Sequence, residues 1–295
     1  MTPATFLRTL LLPRERVHLV GSRLLQRFAG FFLLWRAFTE LPFATYFWGA
    51  GGVGHGRLTP YFGASAAPIE RLLDGPSGIY LLLALHVSAG LMLLFAWRGG
   101  LAAFVAASTF MILNARNPAV GDGGDNLLQL LLLYMVFLST GARAVPAWRV
   151  FLHNLAVYAV VAQLCVVYFT AGTSKLMGPT WLDGTAMYQI AQLQWFSLPI
   201  FAELFRSAAL STLAGYATIL YQIAFPFLML TRLRVPVICF GITLHLGILL
   251  MMGLVTFSAI MIGAELLLLT DEDYRDLRAR RDAARERLTR RLRRP

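Results

Sequence analysis

One lysine, Lys175, stands among 25 arginines. An arginine stays charged under nearly all conditions, whereas a lysine stripped of water can lose its proton and act as a base. Lys175 is therefore the first candidate for acid–base chemistry or ligand contact. The plainer reading is an interfacial lysine whose ammonium snorkels to water. Tyr168, Gly172 and Lys175 follow one another by four and then three residues, so they share one face of a helix that continues that far. Gly172 on that face would let another helix or a ligand approach closely. A second polar stretch precedes a leucine-rich run. In it Asp122 and Asp125 sit among Gly121, Gly123 and Gly124, which predicts a tight polar turn. Asp125 is placed to N-cap a helix beginning at Asn126, with Gln129 one turn further along the same face.

Other ionisable residues interrupt apolar stretches, where each is costly and so invites a functional reading. Arg36 and Glu40 are spaced to pair on one helical face. Glu265 lies near one end of a long apolar run and is expected to snorkel or to pair with another helix. His86 and His245 are expected to hydrogen-bond neighbouring helices, with His245 also a candidate ligand contact, and His153 is expected at the interface. No two histidines have metal-ligand spacing, so no metal is predicted. Cys165 and Cys239 fall in apolar runs and read as small packing residues.

The elements that hold these residues follow from composition. The chain has 295 residues, 58% of them hydrophobic and 14% charged. Soluble domains carry about 25% charged residues. A membrane span needs about 20 mostly apolar residues. Eight such stretches are readable: 24–47, 78–97, 101–115, 126–140, 153–173, 208–231, and 235–269 split in two near Gly253. A seven-span alternative keeps 235–269 as one tilted helix. The fold class is thus all-α, a polytopic transmembrane helical bundle. Its three parts are a basic N-terminus (1–23), a transmembrane domain (24–270) and an arginine-rich tail (271–295). The start, with Arg8, Arg14, Arg16 and Arg23 around a 6–12 apolar stretch, lacks a small-residue cleavage site, so the first span is expected to act as the insertion signal.

The positive-inside rule orients the eight spans with both ends in the cytoplasm, in the inner membrane of a bacterium. Segments then assigned inside are short and carry Arg98, Arg143, Arg149, Arg232 and Arg234; the tail ends in Arg290, Arg291, Arg293 and Arg294. Segments assigned outside, at 41–77, 116–125 and 174–207, are longer and slightly acidic, which places the work on that face. Within them 189–205, with Trp195, Phe196 and Phe205, reads either as an amphipathic piece along the interface or as an ordinary loop. The net charge of +11 is explained by these flanks, and no nucleic-acid-binding motif accompanies it. The bilayer itself is the expected partner, and anionic lipid is expected to attract the tail's basic end.

The stretch Ala171-Gly-Thr-Ser-Lys-Leu176, followed by Trp181-Leu-Asp-Gly-Thr-Ala186, resembles the signature of the HTTM (horizontally transferred transmembrane) domain. That domain is the membrane part of vitamin K-dependent γ-carboxylase and of many bacterial relatives. The Gly123-Gly-Asp-Asn126 stretch and the 244–257 stretch resemble bacterial members, and the likeness runs over roughly 20–270. The resemblance implies that Lys175 matches the lysine held to deprotonate a reduced quinone. An enzyme of this kind would be a carboxylase- or quinol-epoxidase-like lyase, or an oxidoreductase. The carboxylase has an Asn-His pair where Gly124 and Asp125 align, and its large substrate-handling region has no counterpart here. Peptide carboxylation is therefore not expected. What the resemblance leaves is a pocket near the outer face for a quinone-like, lipid-soluble molecule. Lys175 and Asp125 would be its catalytic residues, and Tyr168, Gly172, Trp181, Asp183, Tyr188, Asp122 and His245 its contacts. Two other readings stand beside it: a non-enzymatic scaffold, lipid binder or small-solute transporter, and a quinone-linked redox subunit of a cofactor-bearing partner.

Overall fold

A computed structural model describes residues 15–53, 56–75 and 77–292. Arg8, Arg14, the 6–12 stretch, Arg293 and Arg294 lie outside the described residues, as do the side chains of Arg290 and Arg291. The described residues are helical throughout, with turns between helices and no strand. The body is built from α1 (Leu19–Glu40), α2 (Gly78–Leu94), α3 (Gly99–Arg116), α4 (Gly123–Met135), α5 (Ala147–Lys175), α6 (Ala208–Leu228), α7 (Arg234–Met252) and α8 (Val255–Leu268). The tail forms α9 (Asp271–Leu292). Four of these, α3, α5, α6 and α7, are long and apolar enough to cross a membrane. A fifth, α2, joins them when counted with the bent helical segment before it. The first expected span is shifted: α1 starts at Leu19, stops at Glu40, and carries Arg23, Arg27, Arg36 and Glu40. The fourth is short, because the chain leaves the helix at Val136. The split near Gly253 is present. Gly253 takes a left-handed conformation (φ 64°) that ends α7 and turns the chain into α8.

The interior is mostly apolar, as in a soluble protein, but the exterior is apolar too, and several charged side chains are buried. Phe38, Phe104, Leu213, Leu220 and Leu250 project outward from the helices, while Arg36, Arg116, Asp125 and Glu265 are buried. Such continuous apolar exterior needs an apolar solvent, and lipid is one. Without a strong hydrophobic drive between helices, close approach of backbones holds them together. Gly30 shows this where α1 crosses α2: a Cβ there would sit 2.6 Å from the Gly90 carbonyl oxygen.

The shortest helix of the body after α4 is also its hub. α8 packs on α1, α4, α5 and α7, and its Ser258, Ile260, Ala264, Glu265 and Leu267 are fully buried. The two ends of the bundle differ. At one end Arg16 and Arg23 donate to carbonyls of the α4–α5 turn, at Ser139 and Thr140 respectively. Arg234 pairs with Asp273 there, and the Asp271 carboxylate accepts from the N–H groups of Leu19 and Val20 at 2.9 and 2.7 Å. The starts of α1 and α9 therefore meet. At the other end lie the short helices of the long polar segments, such as Thr59–Phe62, Pro179–Leu182 and Pro199–Leu204. His153, expected at the interface, is instead fully buried at the arginine-rich end. Its ring accepts from the Ser139 N–H and contacts the Val17 carbonyl oxygen at 2.9 Å, tying the chain start to the α4–α5 turn.

Candidate functional site

Three groups of polar side chains lie in the body or at its end opposite the arginines. The first is the mouth of α4. Asp122, not Asp125, is the N-cap: its backbone is extended and its side chain accepts from the N–H groups of Gly124 and Asp125 at 2.7 and 3.2 Å. Asp125 sits at the third helical position and accepts the Asp122 N–H in return, closing a capping box. The helix therefore begins at Gly123. The other Asp125 oxygen accepts from Arg36, whose guanidinium also holds Glu40 at 2.8 Å. Asp122 in addition accepts from Thr256 of α8 at 2.5 Å. The expected Arg36–Glu40 pair is thus one arm of a buried Glu40–Arg36–Asp125 triad. Beside it opens a cavity of about 710 Å³, lined by Asp122, Asp125, Asn126 and Asn114 with Tyr61 and Phe62.

The second group is buried in the body, where α5, α6, α7 and α8 meet. Tyr168 donates its O–H to the Glu265 carboxylate, and its oxygen lies 2.9 Å from His245 Nε2. A phenol has one proton to give, so Nε2 of His245 is the donor of the second bond. Proton donation therefore runs from His245 to Tyr168 to Glu265. His245 Nδ1 and the second oxygen of Glu265 are buried with no hydrogen-bond partner among the described residues. Tyr221, on α6, donates to the Val237 carbonyl at 3.2 Å and sets its ring edge-on to Tyr168. Gly241 is required beside them, because a Cβ would collide with the Glu265 carboxylate and the Tyr221 hydroxyl. His86, by contrast, bonds Thr109 of α3 at 2.8 Å, the helix–helix role expected of it.

The third group is at the end of α5. Lys175 is half-buried; its ammonium donates to the Ala171 carbonyl at 3.3 Å and lies 4.9 Å over the Trp181 ring. Among the described residues no carboxylate forms an ion pair with it. Leu176, Met177 and Leu182 are exposed around it. Gly172 admits a helix, not an open space: its face packs on Gln222 and Ile223 of α6. Asp183 bonds within its own turn, accepting from the Thr185 hydroxyl at 2.6 Å and the Thr185 N–H at 2.9 Å. Those two bonds, the hydroxyl's first, hold its carboxyl below the usual range. Tyr188 is exposed, and its N–H donates to Ser211.

The candidate residues thus separate. Tyr168 meets His245, Asp122 meets Asp125, and Lys175 meets Trp181, while Asp183 and Tyr188 stand apart. Lys175, Asp183 and Tyr188 do not line the Asp125 cavity. The first and second groups are joined by α8: Thr256 bonds Asp122, and the adjacent Phe257 packs edge-on against His245 at 5.5 Å. Glu265 and Tyr221 were not among the expected contacts. Glu265 had a visible signal, as the only carboxylate between 255 and 269. Tyr221 had only its place beside Gln222 in an apolar helix. Among the described residues no set of three His, Cys, Asp or Glu side chains is grouped to hold a metal ion.

A helical bundle with an apolar exterior and a buried tyrosine–histidine–glutamate cluster is an integral membrane protein with polar chemistry in its core. Residues 134–274 match the family model of the HTTM domain, the family that the Lys175 stretch resembles. The protein is a membrane protein carrying an HTTM domain in those residues. The match includes α5 to α8 with Lys175, His245 and Glu265, and leaves out Asp122 and Asp125. No curated protein and no solved structure matches the chain.

Proposed function

We propose that this protein binds a lipid-soluble, quinol-like molecule beside Lys175, within its HTTM-matching residues, reached sideways from the bilayer, with the lysine amine as the base that takes its proton. The observation carrying the reading is the setting of that amine. It is half-buried, without a carboxylate partner among the described residues, over the face of Trp181 and ringed by exposed Leu176, Met177 and Leu182. An aromatic ring entering from lipid would stack where Trp181 lies and present a hydroxyl to the amine. A bound quinol supplies the acidic hydroxyl and two electrons, which added dioxygen accepts as the quinone forms; the chain supplies the base and the apolar approach. General-base catalysis contributes about 10²–10⁴-fold. Lys175→Ala should therefore lower quinol turnover by about that factor, with an unchanged gel-filtration profile. Wild-type turnover in the folded variant would reject the role of Lys175.

A second reading, a non-enzymatic lipid binder or scaffold, is favoured by the mouth of α4. There Asp122 caps a helix and Asp125 holds Arg36, so both carboxylates have structural partners. Binding of a short-chain naphthoquinol by the wild-type protein without any turnover would select it.

We further infer that α1 to α8 all cross a bacterial cytoplasmic membrane, with both ends in the cytoplasm. This is supported by the meeting of the α1 and α9 starts and by the arginines gathered at that end.

A further inference from the structure

At the arginine-rich end the α2–α3 turn and the α4–α5 turn enclose a cavity of about 480 Å³. Arg16, Arg98, Arg143 and Arg149 line it, and no acidic residue does. None of the four forms an ion pair with a carboxylate among the described residues. Arg16 is fixed by neutral carbonyls alone: it donates to those of Ser139, Gly141 and Arg143 at 2.5, 2.8 and 3.1 Å. Its direction is set while its charge stays uncompensated. Gly99 and Gly100, the first residues of α3, also line the cavity, and the first N–H groups of a helix have no partner within it.

We propose that this cavity binds the phosphate of an anionic phospholipid. Four arginines lining one cavity suit a phosphate diester, since a guanidinium can bind phosphate through two parallel N–H donors. The rim argues for a lipid over a soluble phosphate. Phe95, Trp97, Leu101, Phe137 and Trp148 are all exposed around the two turns. Arg98 lies over the Trp97 ring and Arg149 over the Trp148 ring, both at 5.8 Å. Tryptophans gather at the membrane–water boundary, so the cavity sits at headgroup depth with apolar side chains beside it for acyl chains. This site is distinct from the surroundings of Lys175, at the opposite end of the bundle.

The test uses the full chain in a neutral detergent, titrated separately with short-chain phosphatidylglycerol, short-chain phosphatidylcholine and inorganic phosphate. Phosphatidylglycerol should bind at least tenfold more tightly than phosphatidylcholine, and inorganic phosphate at the same concentration should not compete. Arg98→Gln with Arg143→Gln should remove the preference, while Arg285→Gln with Arg287→Gln in the tail should keep it. Where the first pair fails to fold, Arg149→Gln alone should reduce the preference severalfold. Equal binding of the two lipids, or a wild-type preference in the folded cavity variants, would overturn the proposal. So would loss of the preference in the tail variant, or full competition by inorganic phosphate.

Discussion

At the scale of residues the sharpest feature is Glu265, fully buried and held by one phenol. A buried carboxylate that loses its donor pays the desolvation of the group, about 1–3 kcal/mol or more. Tyr168→Phe should therefore destabilise the protein by about that amount in thermal unfolding in detergent. Combined with Glu265→Gln it completes a double-mutant cycle, in which the two changes should be coupled by about 0.5–3 kcal/mol. If the two changes were additive instead, the phenol and the carboxylate would not be coupled. Part of this was legible in the sequence: a carboxylate, a histidine and a tyrosine each interrupt apolar runs, and such residues seek one another. Which of them pair was not legible, because Tyr168 and Glu265 lie 97 residues apart. The mouth misled for a local reason. Asp122 and Asp125 are both acids spaced for a capping box, and only the extended backbone at Asp122 decides which one caps.

Among elements, the break at Gly253 could be read in advance, since a glycine inside an overlong apolar stretch marks where a left-handed turn costs least. The placing of Lys175 beside Asp125 could be read only halfway. Successive antiparallel helices, tied by Tyr134 to Gln163 and Ser139 to His153, bring the start of α4 level with the end of α5. Position around the bundle is a matter of packing, and packing left Lys175 out of the cavity that Asp125 lines. The α9 junction carries a prediction of its own. Burial works against ionisation of Asp273, but bonds from the Thr270 hydroxyl and N–H and the nearby Arg234 outweigh it, so its carboxyl is held below the usual range. Its contribution is complete above the ordinary aspartate value of about 3.9 and is lost as pH falls through the lower folded value. Hydrogen exchange at 271–275, corrected for intrinsic rates, should keep its protection from pH 7 down to about 4 and lose it below. Asp273→Asn should lack that protection already at pH 7.

For the whole molecule, the orientation proposed above is open to direct labelling. With Cys165 and Cys239 replaced by serine, Trp195→Cys should react with an impermeant maleimide added to intact cells, since that position is 95% exposed in the described chain. Arg285→Cys should react only after permeabilisation. Labelling of both in intact cells would refute a shared cytoplasmic side for the arginine-rich end. The class of the molecule was legible from composition alone. The number of crossings was not legible in that way: α1 carries charge along its length, α4 and α8 are short, and four helices, or five with the bent pair, are long and apolar enough to cross.

Those short helices have a further consequence for how the protein is made. A ribosome releases α1 first and α8 more than 200 residues later. Until then Asp122 lacks Thr256, Tyr168 lacks Glu265, and the flank of α1 that will meet α8 faces lipid. On the eight-span reading proposed above, the earlier helices wait in the bilayer while α1, α4, α5 and α7 lack the helix on which they pack. Non-local closure of this kind is slow and exposes intermediates. The membrane, by holding the waiting helices upright, does for this chain what a chaperone does for a soluble one.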